Sequence, residues 1–104
     1  MTSDQLTAAL AERVMGWTVG PDRFLTGNRE WMPRWKFQPF EKIEDAFRLL
    51  AQAAPQEYTI CGDGQGNVRV RIRLEGTDGE ARGTSASSVI TFAVARAVGI
   101  EVEP

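Results

Sequence analysis

The stretch Val68 to Leu74, VRVRIRL, alternates an aliphatic residue with an arginine at every step and has Gly66 and Gly76 just outside it. A period of two marks a strand whose alternate side chains meet core and solvent. Its aliphatic face cannot be buried alone, so strands must pair beside it and an apolar layer must cover it. The flanking sequence supplies both neighbours. EYTIC leads through the glycine-rich turn GDGQG into this strand, and EGTDG leads out of it to EARGT. Meeting of apolar residues on one face sets the expected register. Ile60 is placed opposite Val68 and Tyr58 opposite Val70, which leaves Glu57 opposite Arg71. On the other side Ile72 is placed opposite Ala81, which leaves Glu80 opposite Arg73. The expected meander has an apolar face and a face of cross-strand ion pairs.

Three segments carry helical spacing and can supply the covering layer. Thr2 and Gln5 have capping-box spacing, and Leu6, Ala9, Leu10 and Val14 follow at helical intervals, predicting a helix from Ser3 to Met15. Gly16 is its left-handed stop, and Trp17 folds back on the last turn. From Glu41 the residues Ile43, Ala46, Phe47, Leu50 and Ala53 follow the helical rule, with acids early and Pro55 closing the segment. The third helix lies in GTSASSVITFAVARAVG, capped by Thr84 or Ser85 and stopped by Gly99, with Val89, Ile90, Ala93, Val94 and Ala97 inward. IEVEP, after it, reads as a short tail or edge strand.

Residues 17 to 40 hold Trp17, Phe24, Trp31, Trp35, Phe37 and Phe40, separated by the turn sequences GPDR and TGNRE. Short strands or irregular extended pieces are expected here. In WKFQPF, Trp35 and Phe37 alternate with Arg34 and Lys36, as in a strand with one buried face that Pro39 ends or confines to an edge. The 104 residues then form one α+β domain, 1–104, with elements in the order α-β-α-β-β-β-α and an antiparallel sheet of three to five strands packed with about three helices.

Three segments together resemble the small phage alpha-beta-alpha sandwich family of phage and prophage genomes: LAERVMGW, FQPFEKIEDAFRLL and TSASSVITFAVARAV. They are similar to that family's opening helix, its Phe-x-Pro lead-in to an acidic-Ala-aromatic helix, and its Ala-rich closing helix. The last begins with Ser where the family more often shows Ala and Pro. The resemblance implies helices packed on an antiparallel sheet, and it brings no catalytic residues.

The chain has no histidine, which excludes imidazole catalysis and every His-containing zinc site. Cys61 is the lone cysteine, so no internal disulfide can form, and a reducing, cytoplasmic setting is expected. The N-terminus lacks the pattern of a secretory signal. SVITFAVA, the longest apolar run, is far short of the ~20 residues of a membrane span, so no membrane partner is expected. A net charge of −2 gives no global field for nucleic acid. No cofactor is expected and no acid-base couple converges in the sequence.

Four motifs carry residue types that chemistry could use. GDGQG precedes a strand, not the helix that a phosphate loop opens, and Val68 and Leu74 stand where a calcium loop needs Gly and Glu; it reads as a hairpin turn. Cys61 lies in a strand with no base to activate it. Arg69, Arg71 and Arg73 form a stripe that could meet phosphates, but Glu57 and Glu80 neutralise part of it. In NREWMPRWKF, Arg29, Arg34 and Lys36 interleave with Trp31 and Trp35 in the manner of a stacking surface for single strands. A half-buried strand with its aromatics inward gives the same alternation and is the expectation; an exposed Trp would make this segment the candidate contact surface.

The expected function is a non-enzymatic, phage- or prophage-related accessory protein that binds another protein. The alternative is a nucleic-acid-binding domain using 29–37 and the Arg stripe 69–73. The helix, meander and closing helix match the double-stranded-RNA-binding outline in part, without its basic helix start.

Overall fold

The computed structural model describes residues 2–100. Helix α1 spans Ser3–Arg13. The Thr2 side chain accepts from the Gln5 N–H and the Gln5 side chain accepts from the Thr2 N–H, so two orphan donors of the first turn are satisfied. The helix ends two residues before the expected Met15. Gly16 takes φ +72°, and the Trp17 N–H reaches back to the Ala11 carbonyl at 3.0 Å, one residue wider than a Schellman closure. Met-Gly-Trp is therefore a helix stop, with the indole buried beyond it.

Three short strands follow, β1 (Thr18–Val19), β2 (Arg23–Leu25) and β3 (Trp31–Pro33), paired antiparallel in that order. Trp17, Phe24 and Phe37 pack under this small sheet, with ring centroids 5.1 to 6.2 Å apart in tilted and edge-on contacts. The expected strand through Trp35 and Phe37 is absent. Arg34–Lys36 form a single 3-10 turn, closed by the Phe37 N–H on the Arg34 carbonyl. With three residues per turn, Arg34 and Phe37 share the inner side and Trp35 is thrown outward. Trp31, on the outer face of β3, is also exposed, so the expectation that both tryptophans face inward is wrong for both.

Helix α2 spans Ile43–Ala53 and ends with Ala54 in the left-handed region, after which Pro55 cannot continue it. Its buried face is Asp45, Ala46, Leu49 and Leu50, so Ile43 and Phe47, expected inside, lie at the surface. The rotation has a polar cause: the Asp45 carboxylate turns inward to accept the Gln38 N–H at 3.0 Å.

The larger sheet is the expected meander, β4 (Glu57–Gly62), β5 (Val68–Leu74) and β6 (Thr77–Gly83), in that order. Its register differs from expectation by two residues on both sides. Ile60 faces Val70, Tyr58 faces Ile72 and Glu57 faces Arg73; Ala81 faces Val70 and Glu80 faces Arg71. An even slip keeps every side chain on its expected face. Turn chemistry explains it. Asp63 captures the Gln65 and Asn67 N–H groups, which pairs Asp63 with Asn67 across Gly64–Gly66. Glu75-Gly76, with Gly76 at φ +82°, is the whole of the second turn, so Thr77 to Gly79 are strand.

Helix α3, Ala86–Ala97, is capped by Ser85, lies over β5 and β6 and also packs on α2. Val89, Ile90, Ala93, Val94 and Ala97 are buried as expected, against Val70, Ile72 and Ala81. Gly99 stops it at φ +84°; of the expected tail, residues 101–104 lie outside the described residues. The fold is α+β and follows the expected order α-β-α-β-β-β-α with the first β unit made of three short strands, so that six strands are divided between two three-stranded antiparallel sheets. The arginine-bearing face of the larger sheet is open to solvent. Among the described residues no helix is long and apolar enough to cross a membrane.

Candidate functional site

The five residues of the basic-aromatic segment do not form one surface. Arg29 sits in the β2–β3 loop at φ +61°, where its N–H closes on the Thr26 carbonyl and its side chain is exposed. A left-handed arginine is uncommon, and the position is the one a three-residue hairpin loop normally gives to glycine. Arg34 turns inward. Its guanidinium donates to the Gly20 carbonyl at 2.9 Å and lies 5.5 Å from the Phe24 ring, and its Nε is buried without a partner. It ties the β1–β2 turn to the 3-10 turn and stays half-buried at the border of the cleft that Trp35 also lines.

Trp31 and Trp35 are 56% and 61% exposed, while Trp17, Phe24 and Phe37 of the same region are buried. They border different clefts. Trp31, with Lys36, Arg48 and Glu30, lines a cleft of about 340 Å³ floored by Trp17. Trp35 lines a cleft of about 410 Å³ against the start of α1, with Asp4, Thr7 and Glu41 around it. Lys36 links the two, since its ammonium lies 5.6 Å from the Trp35 ring. Arg23, from the GPDR turn, stacks on Trp31 at 4.9 Å, and Arg48 of α2 stacks on Trp17 at 5.2 Å. No pattern in the sequence marks either arginine. The partner of Arg23 becomes visible only when the register sets Arg23 opposite Pro33 and Leu25 opposite Trp31, on one outer face.

The Arg stripe is where the alternation places it. Arg69 pairs with Glu80 at 2.9 Å, Arg82 approaches the same carboxylate at 3.6 Å, and Arg73 lies 3.8 Å from Glu57. These are exposed pairs, each of small energetic weight. Arg71, flanked by Thr59 and Glu80 in the register, is exposed. The stripe is thus a partly neutralised, charge-laced sheet face. At its end Asp63 accepts from the Asn67 side chain and from the N–H groups of Gln65 and Asn67, which holds its carboxyl below the usual range. That carboxylate is committed to the turn. Cys61 is exposed beside Arg69 on the same open face. Among the described residues no three His, Cys, Asp or Glu side chains are grouped as metal ligands would be.

No protein-family model matches the chain, and no curated protein does. Among solved structures the chain is similar to a phage protein from Bacillus cereus. The two share 16% identity at a TM-score of 0.77, over 99% of this chain and 93% of that one. At that identity the likeness is one of fold.

Proposed function

We propose that the chain is a non-enzymatic accessory protein of phage or prophage origin, a member of the alpha-beta-alpha sandwich group, that binds another protein through its small sheet. The observation that carries the binding role is the outward placement of Trp31 and Trp35 while their aromatic neighbours are buried. Two exposed indoles flanked by cations are the composition of an interface anchor. The phage origin is supported by the Bacillus cereus phage protein of similar fold and by the three segments that resemble the family. A cytoplasmic setting belongs to the same reading, on the lone Cys61.

A protein partner is favoured over nucleic acid by the surroundings of both rings. Asp4 and Glu41 beside Trp35, and Glu30 beside Trp31, oppose a phosphate chain, and a cation already lies over each indole. The test is affinity capture from phage-bearing cells with the wild-type chain and with the double variant Trp31→Ala/Trp35→Ala. Both side chains are exposed, so the variant keeps its fold. A protein partner held at least tenfold more weakly by the variant is the expected result. Fluorescence titration with short DNA and RNA is the counter-test: tight binding that weakens steeply with salt would overturn the protein reading.

A further inference from the structure

The two edges of the larger sheet are treated differently. In an antiparallel ladder each residue turns both backbone groups to the same side, alternating along the strand. On β4 the Asp63 N–H bonds the Asn67 carbonyl, so odd-numbered residues pair with β5. Tyr58, Ile60 and Gly62 therefore present their N–H and C=O groups to the open edge. On β6 the same alternation turns Glu80 outward, and its carbonyl is taken by the Arg96 guanidinium from α3. One edge is thus partly sealed by a side chain. The other is exposed at every residue from Glu57 to Gly62, with Tyr58 and Ile60 51% and 37% exposed on its α3-side face. Between Tyr58 and Gly62 it has no proline and no charge, the devices by which edge strands avoid pairing.

We propose that β4 is the seam of a two-fold homodimer, pairing antiparallel with β4 of a second copy with Thr59 on the axis, to give a continuous six-stranded sheet. The alternation of backbone groups permits even residues to bond only even residues, which leaves few registers. With Ile60 on the axis, Glu57 would face Asp63 of the other copy, acid on acid. With Cys61 on the axis, Ile60 would face Gly62 and Tyr58 would face the turn. With Thr59 on the axis, Tyr58 faces Ile60 twice, an aromatic-aliphatic cross-strand pair of the favourable kind. Glu57 then faces the uncharged Cys61 of the second copy, with no acid directly opposite it. The Tyr58–Ile60 pair, made twice across the two-fold axis by side chains that are exposed in the single chain, argues for a second copy as the occupant. The seam is separate from the tryptophan surface and stands or falls independently of it.

Sedimentation at equilibrium should give twice the 11.5 kDa chain mass. Ile60→Pro removes an N–H that points away from β5, so it should give the single-chain mass with an unchanged circular dichroism spectrum. Position and register are read by cross-linking. In Thr59→Cys/Cys61→Ser the two cysteines face each other in a non-hydrogen-bonded pair, about 4.5 Å between Cα atoms. That is within disulfide range. Mild oxidation should yield a covalent dimer that reductant disperses. In the wild type the two Cys61 residues sit four positions apart along the seam, roughly 13 Å, and should not bridge. A single-chain mass at millimolar protein overturns the proposal. So does a dimer that survives Ile60→Pro, or one that cross-links through Cys61 and not through position 59. Should Ile60→Pro fail to fold, the cysteine pair decides.

Discussion

Gly79 shows how one residue can be misread from its type and still control the fold. Following Thr-Asp after Gly76, it has the look of turn sequence, and the expected register treats it so. In the structure it is a buried strand residue lying directly under α3. A Cβ there would sit 2.2 Å from the Ala93 carbonyl oxygen and 2.5 Å from the Ala97 nitrogen. Both are helix backbone, which no rotamer change can move aside, and glycine inside a strand is often the mark of such an approach. Gly79→Ala is expected to cost about 3 kcal/mol or more, at or above the upper end of overpacking effects, since α3 as a whole must lift from β6. Gly64→Ala is the control. That glycine sits in the β4–β5 turn with open space around it, and its substitution should stay within about 0.5 kcal/mol of the wild type. Urea unfolding of the two variants measures both, and equal midpoints would show that α3 does not depend on this contact.

At the scale of elements, the helices were legible because 3.6-residue spacing survives any detail of packing, whereas their polar contacts were not. The inward residues of α3 came out as read, yet the helix is positioned as much by hydroxyls as by aliphatics. Ser87 and Ser88 both donate to the Phe40 carbonyl, at 2.8 and 2.9 Å, and the buried Thr91 donates to the Pro39 carbonyl at 2.8 Å. These bonds clamp α3 to the segment between the small sheet and α2. Periodicity sees only apolar against polar, so a hydroxyl on the core face counts as noise. Thr91→Val keeps the shape and removes the donor to Pro39. An orphaned buried carbonyl costs about 1–3 kcal/mol, and thermal or urea unfolding of Thr91→Val should show a loss in that range. Ser88→Ala should cost less, because Ser87 still serves the same acceptor. The element that failed outright, the strand through Trp35, failed for a related reason: two-residue alternation over four positions is equally the start of a three-residue turn, and the inward pull on Arg34 from Gly20 decides between them.

At the scale of the molecule, the class and order of elements followed from the periods, but the division into two sheets did not, since strands of two or three residues carry too little pattern to be paired from sequence. The candidate site was legible as a composition and not as a geometry. Which of its cations is free depends on the turn that sends Arg34 in and Trp35 out. The two sheets nevertheless share one continuous core, running from Leu6 and Leu10 of α1 through Trp17, Phe24 and Phe37 to Leu49, Val70, Ile90 and Val94. A core without a break predicts unfolding without a break. Trp31→Phe/Trp35→Phe leaves Trp17 as the lone tryptophan, buried beneath the small sheet and excited selectively over Tyr58 at the red edge, while far-ultraviolet circular dichroism reports chiefly on the three helices. Both signals should follow the same urea curve, with one midpoint and one slope. Were Trp17 to lose its buried emission at lower urea than the helical signal falls, the small sheet would be a separate, weaker unit. Its tryptophans would then be presented by a segment able to open while α3 and the larger sheet stay folded.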